Sequence, residues 1–286
     1  MKQLLDDLVK LMTLERLELD LFRGESRDIG SPQVFGGQVL GQALMAATES
    51  VEGRGVHSLH AYFLRRGDFN SPIVYEVDRA RDGNHFSTRR VVAIQHGAQI
   101  FNMSASFQSD EDGLAHQVAM PEVPPPEDLA DLASFYREIL PQLSPAVRRV
   151  IEKKRPFDFR PTQPPSFLNA EKVSPHRNIW FRAVAPLPDD EALHRCLLAY
   201  VSDFNLLDTA LMPHGIAFGA RNLMMASIDH AMWFHRSVRV DDWLLYSTDS
   251  PSASGARGFS RGSIFARDGR LVASTSQEGL MRMVTS

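Results

Sequence analysis

The chain has 286 residues, 43% of them hydrophobic and 23% charged, a composition typical of a globular protein with a substantial core. Its formal net charge of −4 argues against neutralisation of a phosphate backbone, so we expect no nucleic-acid partner. The single cysteine, Cys196, cannot form a disulfide within the chain, and an oxidising compartment is therefore not implied.

The first 24 residues, MKQLLDDLVKLMTLERLELDLFRG, place leucines at helical spacing among charged side chains. This pattern predicts an amphipathic helix that lies on the domain following it. The charges exclude the apolar core of a signal peptide and a membrane-spanning helix. We therefore expect no membrane insertion and a cytoplasmic protein.

Residues 1–110 predict one long helix followed by strands. The helix falls in QVFGGQVLGQALMAATES and the next strand in GVHSLHAYFLRR. The hairpin signals RDGN and QHGAQ then separate further strands. In the last of these, QIFNMSASF, the residues Phe101, Met103, Ala105 and Phe107 alternate with polar residues, as in a strand with one buried face.

The stretch 111–174 differs from the rest of the chain in its proline content. Ten of the 17 prolines fall between Pro121 and Pro165, a density that excludes central strands and helix interiors. The segments EDLADLASFYREIL and SPAVRRVIEKK nevertheless have helical periodicity. We predict a connector that contains short helices.

Residues 175–286 repeat the order of elements found in the first half. The helix falls in DDEALHRCLLAYVSDFNLLDTALM, the next strand in MMASIDHAMWFHR, and the last hairpin, ARDGR, precedes RLVASTSQ. Without a gap, an offset of 171 residues pairs Tyr75 with Tyr246, Asp78 with Asp249, Arg90 with Arg261 and Ile100 with Leu271. The repeated order is the stronger indication of duplication, and it predicts an α+β fold with two similar halves.

Gly36, Gly37 and Gly41 cluster at the start of the first long helix. They complete neither a G-x-G-x-x-G nor a Walker pattern, so they are a weak signal for phosphate binding. One interpretation is close packing of the helix against the sheet. The other is that glycines bare backbone N–H groups at a helix terminus, where such groups polarise a carbonyl oxygen. The two are compatible.

Asp203 sits among apolar residues at the predicted start of a buried helical segment, in AYVSDFNLLDTALM. Ser202 and Asp203 are both favoured N-cap residues, so helix capping is the first interpretation of this carboxylate. A catalytic role is the second, and spacing alone does not decide between them.

Two short patterns carry no function. GFSRG matches the G-x-S-x-G motif with Ser260 as nucleophile, but a strand and a hairpin follow it and no histidine lies beyond it. His57 and His60, like His230 and His235, are spaced so that a strand points them to opposite faces, and neither pair can bind one metal. We expect no metal and no cofactor.

Longer blocks resemble the bacterial acyl-CoA thioesterase II family along nearly the whole chain. They are LFRGES, QVFGGQVLGQAL, HSLHAYFLRRGD, RDGNHFSTRRVVAIQHG, PHGI, IDHAMWFHR, SGARGFSRG and ASTSQEGLMR. The resemblance implies a double hotdog fold, with two helix-plus-antiparallel-sheet repeats, and hydrolysis of medium- and long-chain acyl-CoA without metal or organic cofactor. The family's Asp, Thr or Ser, and Gln, which hold the attacking water, fall on Asp203, Ser227 and Gln277. Where bacterial members commonly have Thr, Ser227 keeps the hydroxyl and lacks the rotamer-restricting methyl.

These residue types suit thioester hydrolysis. A free thiol has a pKa of about 8.5, so the thiolate leaves without a dedicated general acid. The hypothesis is that Asp203 takes the proton of the water, Ser227 and Gln277 fix that water, and backbone N–H groups near Gly36 and Gly37 polarise the carbonyl. Direct attack by Asp203, with an anhydride intermediate, is an open alternative. Gln277 lies at about the position that Ser106 has in the first half.

An acyl-CoA substrate needs cations for its phosphates and an apolar lining for its chain. The binding candidates are His57, Arg65, Arg90 and Arg261, with Arg66, Arg89 and Arg257 as further cations. The candidates for the apolar lining are Phe63, Met232, Trp233 and Phe234. By analogy with hotdog proteins, which pair through sheet edges, we expect a homo-oligomer, either a dimer or a tetramer.

Two other functions stay open. SDFNLLD is close to D-x-N-P-x-H, the signature of hotdog-type enoyl-CoA hydratases. Leu206 replaces the proline and Asp208 the histidine, so the second proton-transfer group of a hydratase is lost. The other function is a catalytically silent acyl-CoA-binding module, which would bind ligand without releasing thiol.

Overall fold

The protein's structure, a computed structural model, describes residues 2–143, 145–163, 171–216, 220 and 222–284. The first half contains these elements in order: α1 (Lys2–Met12), β1 (Glu15–Glu18), β2 (Leu21–Gly24), α2 (Gly36–Thr48), β3 (Gly55–Phe63), β4 (Ile73–Asp82), β5 (Phe86–Gln95) and β6 (Ala98–Gln108). The predicted amphipathic helix is α1, which buries Leu5, Leu8, Leu11 and Met12. No helix among the described residues is both long and apolar enough to cross a membrane.

The remaining elements are α3 (Leu132–Ile139), α4 (Pro145–Glu152), β7 (Phe157–Pro161), β8 (His176–Ala183), α5 (Glu191–Ser202), β9 (Leu223–Ser227), β10 (Asp229–Phe234), β11 (Leu244–Ser254), β12 (Arg257–Ala266) and β13 (Leu271–Met283). Short 3-10 helices occupy Pro126–Asp128, Leu140–Gln142 and Leu207–His214. The predicted hairpins are confirmed, and the alternation predicted for β6 is present, since its apolar residues are buried.

The thirteen strands form one antiparallel sheet. Twelve of them follow the order β1-β2-β4-β5-β6-β3-β10-β13-β12-β11-β8-β7, and β9 pairs with β13 beside this path. The two halves join where β3 pairs with β10, with Ala61 opposite His230 and Ser58 opposite Trp233. Helix α2 packs on β4, β5 and β6, and α5 packs along α2. The fold is therefore α+β, with two helix-plus-sheet repeats sharing one continuous sheet.

The pairing of strands supports the duplication. Asp78 lies opposite Arg90 in the first half, and Asp249 lies opposite Arg261 in the second. Each strand pair also has an irregularity at the corresponding place, between Asp78 and Arg81 and again between Asp249 and Ser252. Up to this point the offset of 171 residues holds.

The gapless alignment is wrong for the last strand of each half. The loop before β6 has two residues, His96 and Gly97, both with positive φ, as a type I′ turn requires. The loop before β13 has three, and it ends at Gly269 with φ 88°. The offset thus becomes 172 residues, so Gln277 corresponds to Ala105 and not to Ser106.

The described part of 111–174 contains α3, α4 and one strand that the sequence did not predict. This strand, β7, pairs with β8 at an outer edge of the sheet. Pro161 stands at its end, which agrees with the confinement of proline to strand ends and edges.

The long helix predicted in the second half is broken in two. Helix α5 ends at Ser202, Asp203 follows as its C-cap residue, and a 3-10 helix starts at Leu207. The N-cap interpretation of Asp203 is therefore wrong; Asp190 caps the N-terminus of α5 by accepting from the backbone N–H of Leu193 at 3.2 Å. Asn205 has φ 63°, a left-handed conformation that a helix cannot continue through.

Candidate active site

Three polar side chains from distant parts of the chain meet at the end of α5. The Gln277 Nε2 donates to Asp203 Oδ1 at 2.7 Å and to Ser227 Oγ at 3.0 Å. Gln277 is on β13, Ser227 ends β9, and β9 pairs with β13, so strand pairing brings the last two together. The end of α5 delivers the carboxylate to the same place.

A cavity of about 240 Å³ opens at this cluster. Asp203, Ser227 and Gly36 line it, whereas Gln277 is 1% exposed and lies behind them. Most of the other lining residues are apolar, among them Ile29, Val34, Phe35, Phe204, Leu207 and Met225. The cavity thus presents one carboxylate and one hydroxyl against an otherwise apolar wall.

The glycines at the start of α2 allow two close approaches. The backbone N–H of Gly37 hydrogen-bonds to the Asp203 carboxylate. A Cβ at Gly37 would lie 2.2 Å from the carbonyl oxygen of Tyr200, and a Cβ at Gly36 would lie 2.8 Å from Asp203 Oδ2. The predicted close packing is thus real, but at Gly37 and Gly41 it is against the backbone of α5 and not against the sheet.

Several groups act on the pKa of Asp203. Burial raises its pKa above the ordinary value of a carboxyl, and the hydrogen bonds from Gln277 and Gly37 oppose this rise. The negative charge of Asp208 raises the pKa further. A base whose pKa is raised holds the proton of a water molecule more strongly.

Asp208, which replaces the histidine of the hydratase signature, lines the same cavity. Its Oδ2 lies 3.9 Å from Arg177 Nη1. Burial raises the pKa of Asp208, and the charges of Arg177 and Arg155 oppose that rise. The described residues contain no group of three His, Cys, Asp or Glu side chains arranged to hold a metal ion.

The structure places the predicted substrate-binding residues away from this cavity. Arg90 and Arg261 are exposed, on the sheet face opposite to the buried residues beside them, and Arg261 pairs with Asp249. Arg65 donates to the carbonyl of Gln99 at 2.6 Å. His57 Nε2 lies 2.8 Å from Ser106 Oγ.

Other candidates from the sequence also lie elsewhere. Arg89 is buried in the first repeat, where its Nε donates to Ser50 Oγ at 2.8 Å. Trp233 is 36% exposed and packs edge-on to His60, so it faces away from the cavity. Phe63 does approach the site, since its ring would lie 2.9 Å from a Cβ at Gly36.

Sequence reasoning missed the cations that do line the cavity and its neighbours. Arg155 lines the 240 Å³ cavity and two others, of about 430 and 200 Å³, and its guanidinium carbon lies 4.8 Å from the centre of the Phe204 ring. Lys153 and Lys154 line both of those neighbouring cavities. Arg149 and Lys153 pair with Asp28, whereas no ion pair within the described residues involves Lys154 or Arg155. The signal was the basic run RRVIEKKR at the end of the second predicted connector helix.

Solved structures identify the class of fold. A crystal structure of a protein from Alicyclobacillus acidocaldarius, described as having a hot dog fold, matches with a TM-score of 0.77 and 19% identity over 96% of this chain and 98% of that one. The two repeats joined through β3 and β10 therefore form a double hotdog.

Closer relatives narrow the class to a family. Acyl-CoA thioesterase 2 from Haemophilus influenzae is 42% identical over 283 residues, 99% of each chain, and human acyl-coenzyme A thioesterase 8 is 40% identical over 96% of this chain and 88% of its own. The crystal structure of the acyl-CoA thioesterase II TesB2 from Mycobacterium marinum matches with a TM-score of 0.79 and 44% identity, covering 96% of this chain and 98% of that one. Residues 148–280 match the acyl-CoA thioesterase family and residues 23–108 its N-terminal domain. The chain belongs to the acyl-CoA thioesterase II family, whose members are thioester hydrolases.

Proposed function

We propose that the protein hydrolyses medium- and long-chain acyl-CoA thioesters to free fatty acid and CoA, with Asp203, Ser227 and Gln277 as its catalytic group. The observation that supports this most directly is the Gln277 amide, which bridges Asp203 and Ser227 at one cavity. Because both amide hydrogens are engaged, Gln277 orients the other two side chains, and these are the ones that face the water.

In this mechanism a water molecule lies between the Asp203 carboxylate and the Ser227 hydroxyl. Ser227 Oγ accepts from Gln277, so its own proton is free to hold the water oxygen. Asp203 takes a proton from the water as its oxygen attacks the thioester carbonyl. The tetrahedral intermediate then collapses and expels the CoA thiolate, which needs no dedicated acid.

The oxyanion requires a donor that faces the cavity. The N–H of Gly37 is already used by Asp203, so we assign this part to the N–H of Gly36, which lines the cavity at the first turn of α2. A helix N-terminus favours negative charge at that point.

The connector supplies the groups expected to bind the two ends of the substrate. Arg155, Lys153 and Lys154 are the cations beside the cavity and suit the phosphates of CoA. The adjoining 430 Å³ cavity, which shares Tyr136 and Ile151 with the site, has an apolar wall suited to an acyl chain.

The test is the isosteric change Asp203→Asn, which removes the base and keeps the size of the side chain. We expect thiol release from acyl-CoA to fall by about 10² to 10⁴, while a non-hydrolysable thioether analogue binds as in the wild type. Asp78→Asn, at an exposed position opposite Arg90, is the matched control and keeps full turnover. Turnover retained by the Asp203 variant rejects the base role.

Direct attack by Asp203 gives a different isotope pattern. In a single turnover in H₂¹⁸O, a water attacked through base catalysis puts one ¹⁸O into the fatty acid. An anhydride opened at the Asp203 carbonyl leaves the ¹⁸O in the enzyme instead. Binding of the analogue without any thiol release by the wild type would identify a silent binding module.

Two further features stay predictions: a homo-oligomer and a cytoplasmic location. The outermost strands of the sheet path, β1 and β7, are the edges through which copies of the chain would pair. Leu17 and Leu19, beside or within β1, are 42% and 66% exposed.

A further inference from the structure

Hydrogen bonds from the sheet hold the last residue of α5. Tyr246 on β11 donates its hydroxyl to the carbonyl oxygen of Ser202 at 3.0 Å. His230 on β10 lies with Nε2 3.0 Å from the hydroxyl of the same serine. Carbonyl groups in the last turn of a helix have no partner within the helix, and here a buried tyrosine supplies one. Asp203 is the next residue.

The protons in this network can be assigned. Tyr246 gives its only proton to Ser202, so Thr275, 2.8 Å away on β13, donates to the tyrosine oxygen. Ser202 donates to the carbonyl of Ala199 at 2.9 Å, so His230 donates from Nε2. Burial lowers the pKa of His230 to about 4, which keeps the ring neutral, and its Nδ1 has no partner within the described residues.

The network shares its strands with the catalytic group. Thr275 and Gln277 are two residues apart on β13 and so point to the same face of the sheet. His230 is the second residue of β10, which follows Ser227 after one intervening residue. The sheet that carries Gln277 and Ser227 therefore also sets where α5 stops and where the Asp203 carboxylate emerges.

The first repeat has the same tyrosine but a different helix end. Tyr75 corresponds to Tyr246, yet its hydroxyl donates to the side chain of Gln42 within α2. Leu59 and Ala105 stand where His230 and Gln277 stand in the second repeat. Glu49, the C-cap residue of α2, is half exposed and pairs with Arg16 at the surface. The first repeat thus holds no comparable group at its helix end.

We propose that Tyr246 and His230 are positioning residues of the active site, which act through Ser202 to fix the Asp203 carboxylate against Gln277. The inference rests on the proposed thioester hydrolysis. Neither side chain lines the cavity next to Asp203, so both act on the reaction through the backbone and hydroxyl of Ser202.

The experiment compares Tyr246→Phe with Tyr75→Phe. Each change deletes one buried hydroxyl at corresponding positions of the two repeats, and each lowers the thermal midpoint. We expect kcat of the Tyr246 variant to fall about ten- to a hundredfold with KM within about twofold of the wild type, because a displaced carboxylate affects the chemical step more than substrate binding. The Tyr75 variant keeps kcat within about twofold.

His230→Leu, which installs the residue of the first repeat, provides a second measurement. It should lower kcat with little change in KM, and its effect should not add fully to that of Tyr246→Phe, because both act through Ser202. Equal kcat values for the two tyrosine variants, or wild-type kcat in both Tyr246→Phe and His230→Leu, overturn the inference. Asp203→Asn in the same assay separates the cases: if it keeps turnover the proposed function fails, and if it loses turnover only the positioning role is at stake.

Discussion

The geometry of the active site depends most on the amide of Gln277. It reaches Asp203 across 74 residues of sequence and Ser227 across 50, and it uses both of its hydrogens in doing so. An amide with two engaged donors has its orientation set. Within the described residues, however, Gln277 Oε1 and the hydroxyl of Ser260, its neighbour on β12, have no hydrogen-bond partner.

The pH dependence of activity follows from the pKa of Asp203. The base works only when deprotonated, and burial raises its pKa, so kcat/KM rises with pH through a value above that of an ordinary Asp. Asp208→Asn removes a negative charge that raises this pKa, so the acid limb of the profile should move to lower pH. Asp249→Asn, whose carboxylate pairs with Arg261 away from the site, should leave the limb in place. An upward or absent shift in the Asp208 variant contradicts this view of the site.

At the scale of elements, contact between α2 and α5 positions the catalytic carboxylate. The glycine faces of α2 let the two backbones meet, with Gly37 at the Tyr200 carbonyl and Gly41 near that of Cys196. A side chain at either point requires the helices to separate. Helix separation would also withdraw the Gly37 N–H from Asp203.

Gly37→Ala tests this contact. Its Cβ would lie 2.2 Å from a backbone oxygen that cannot rotate away, so we expect a loss of about 1–3 kcal/mol in the free energy of unfolding and a fall in activity. Gly113→Ala is the control, because a Cβ there meets nothing within 4 Å. Urea denaturation of both variants gives the comparison, and equal stabilities would show that α2 accommodates the methyl group.

At the scale of the whole molecule, the connector brings its basic residues to the cavity that lies where the two repeats meet. If these cations bind the CoA phosphates, Lys154→Gln with Arg155→Gln should raise KM for acyl-CoA about tenfold, and added salt should diminish the difference from wild type. KM for the corresponding acyl-pantetheine, which lacks the phosphates, should not change. Arg261→Gln is the control; if it raises KM for acyl-CoA instead, the phosphates bind the outer face as the sequence suggested.

Duplication produced two helix ends, and only the second was equipped for chemistry. In the first repeat the large side chain of Arg89 holds the residue after the helix, by hydrogen bonds to the hydroxyl and carbonyl of Ser50. In the second repeat the corresponding position is Ser260, a small residue that leaves space near Gln277. Ala105 in place of Gln277 removes the bridging amide from the first repeat.

Much of the element order was predictable because periodicity and turn residues are local properties. The errors arose where a local signal was weak. The apolar pattern continues past Ser202, so the break at Asn205 was missed, and a single extra loop residue before β13 shifted the last strand of the repeat. Family resemblance, and not spacing, singled out Ser227 and Gln277.

The sequence by itself determined the α+β class, the two repeats, the positions of most helices and strands, and the residues to examine for catalysis. The tertiary structure decided which of them meet: it brought Asp203, Ser227 and Gln277 to one cavity and placed Arg90 and Arg261 on the outer face. The physical reason is that such encounters depend on long-range contacts, namely the pairing of β9 with β13 and the approach of α2 to α5, which no short stretch of the chain encodes alone.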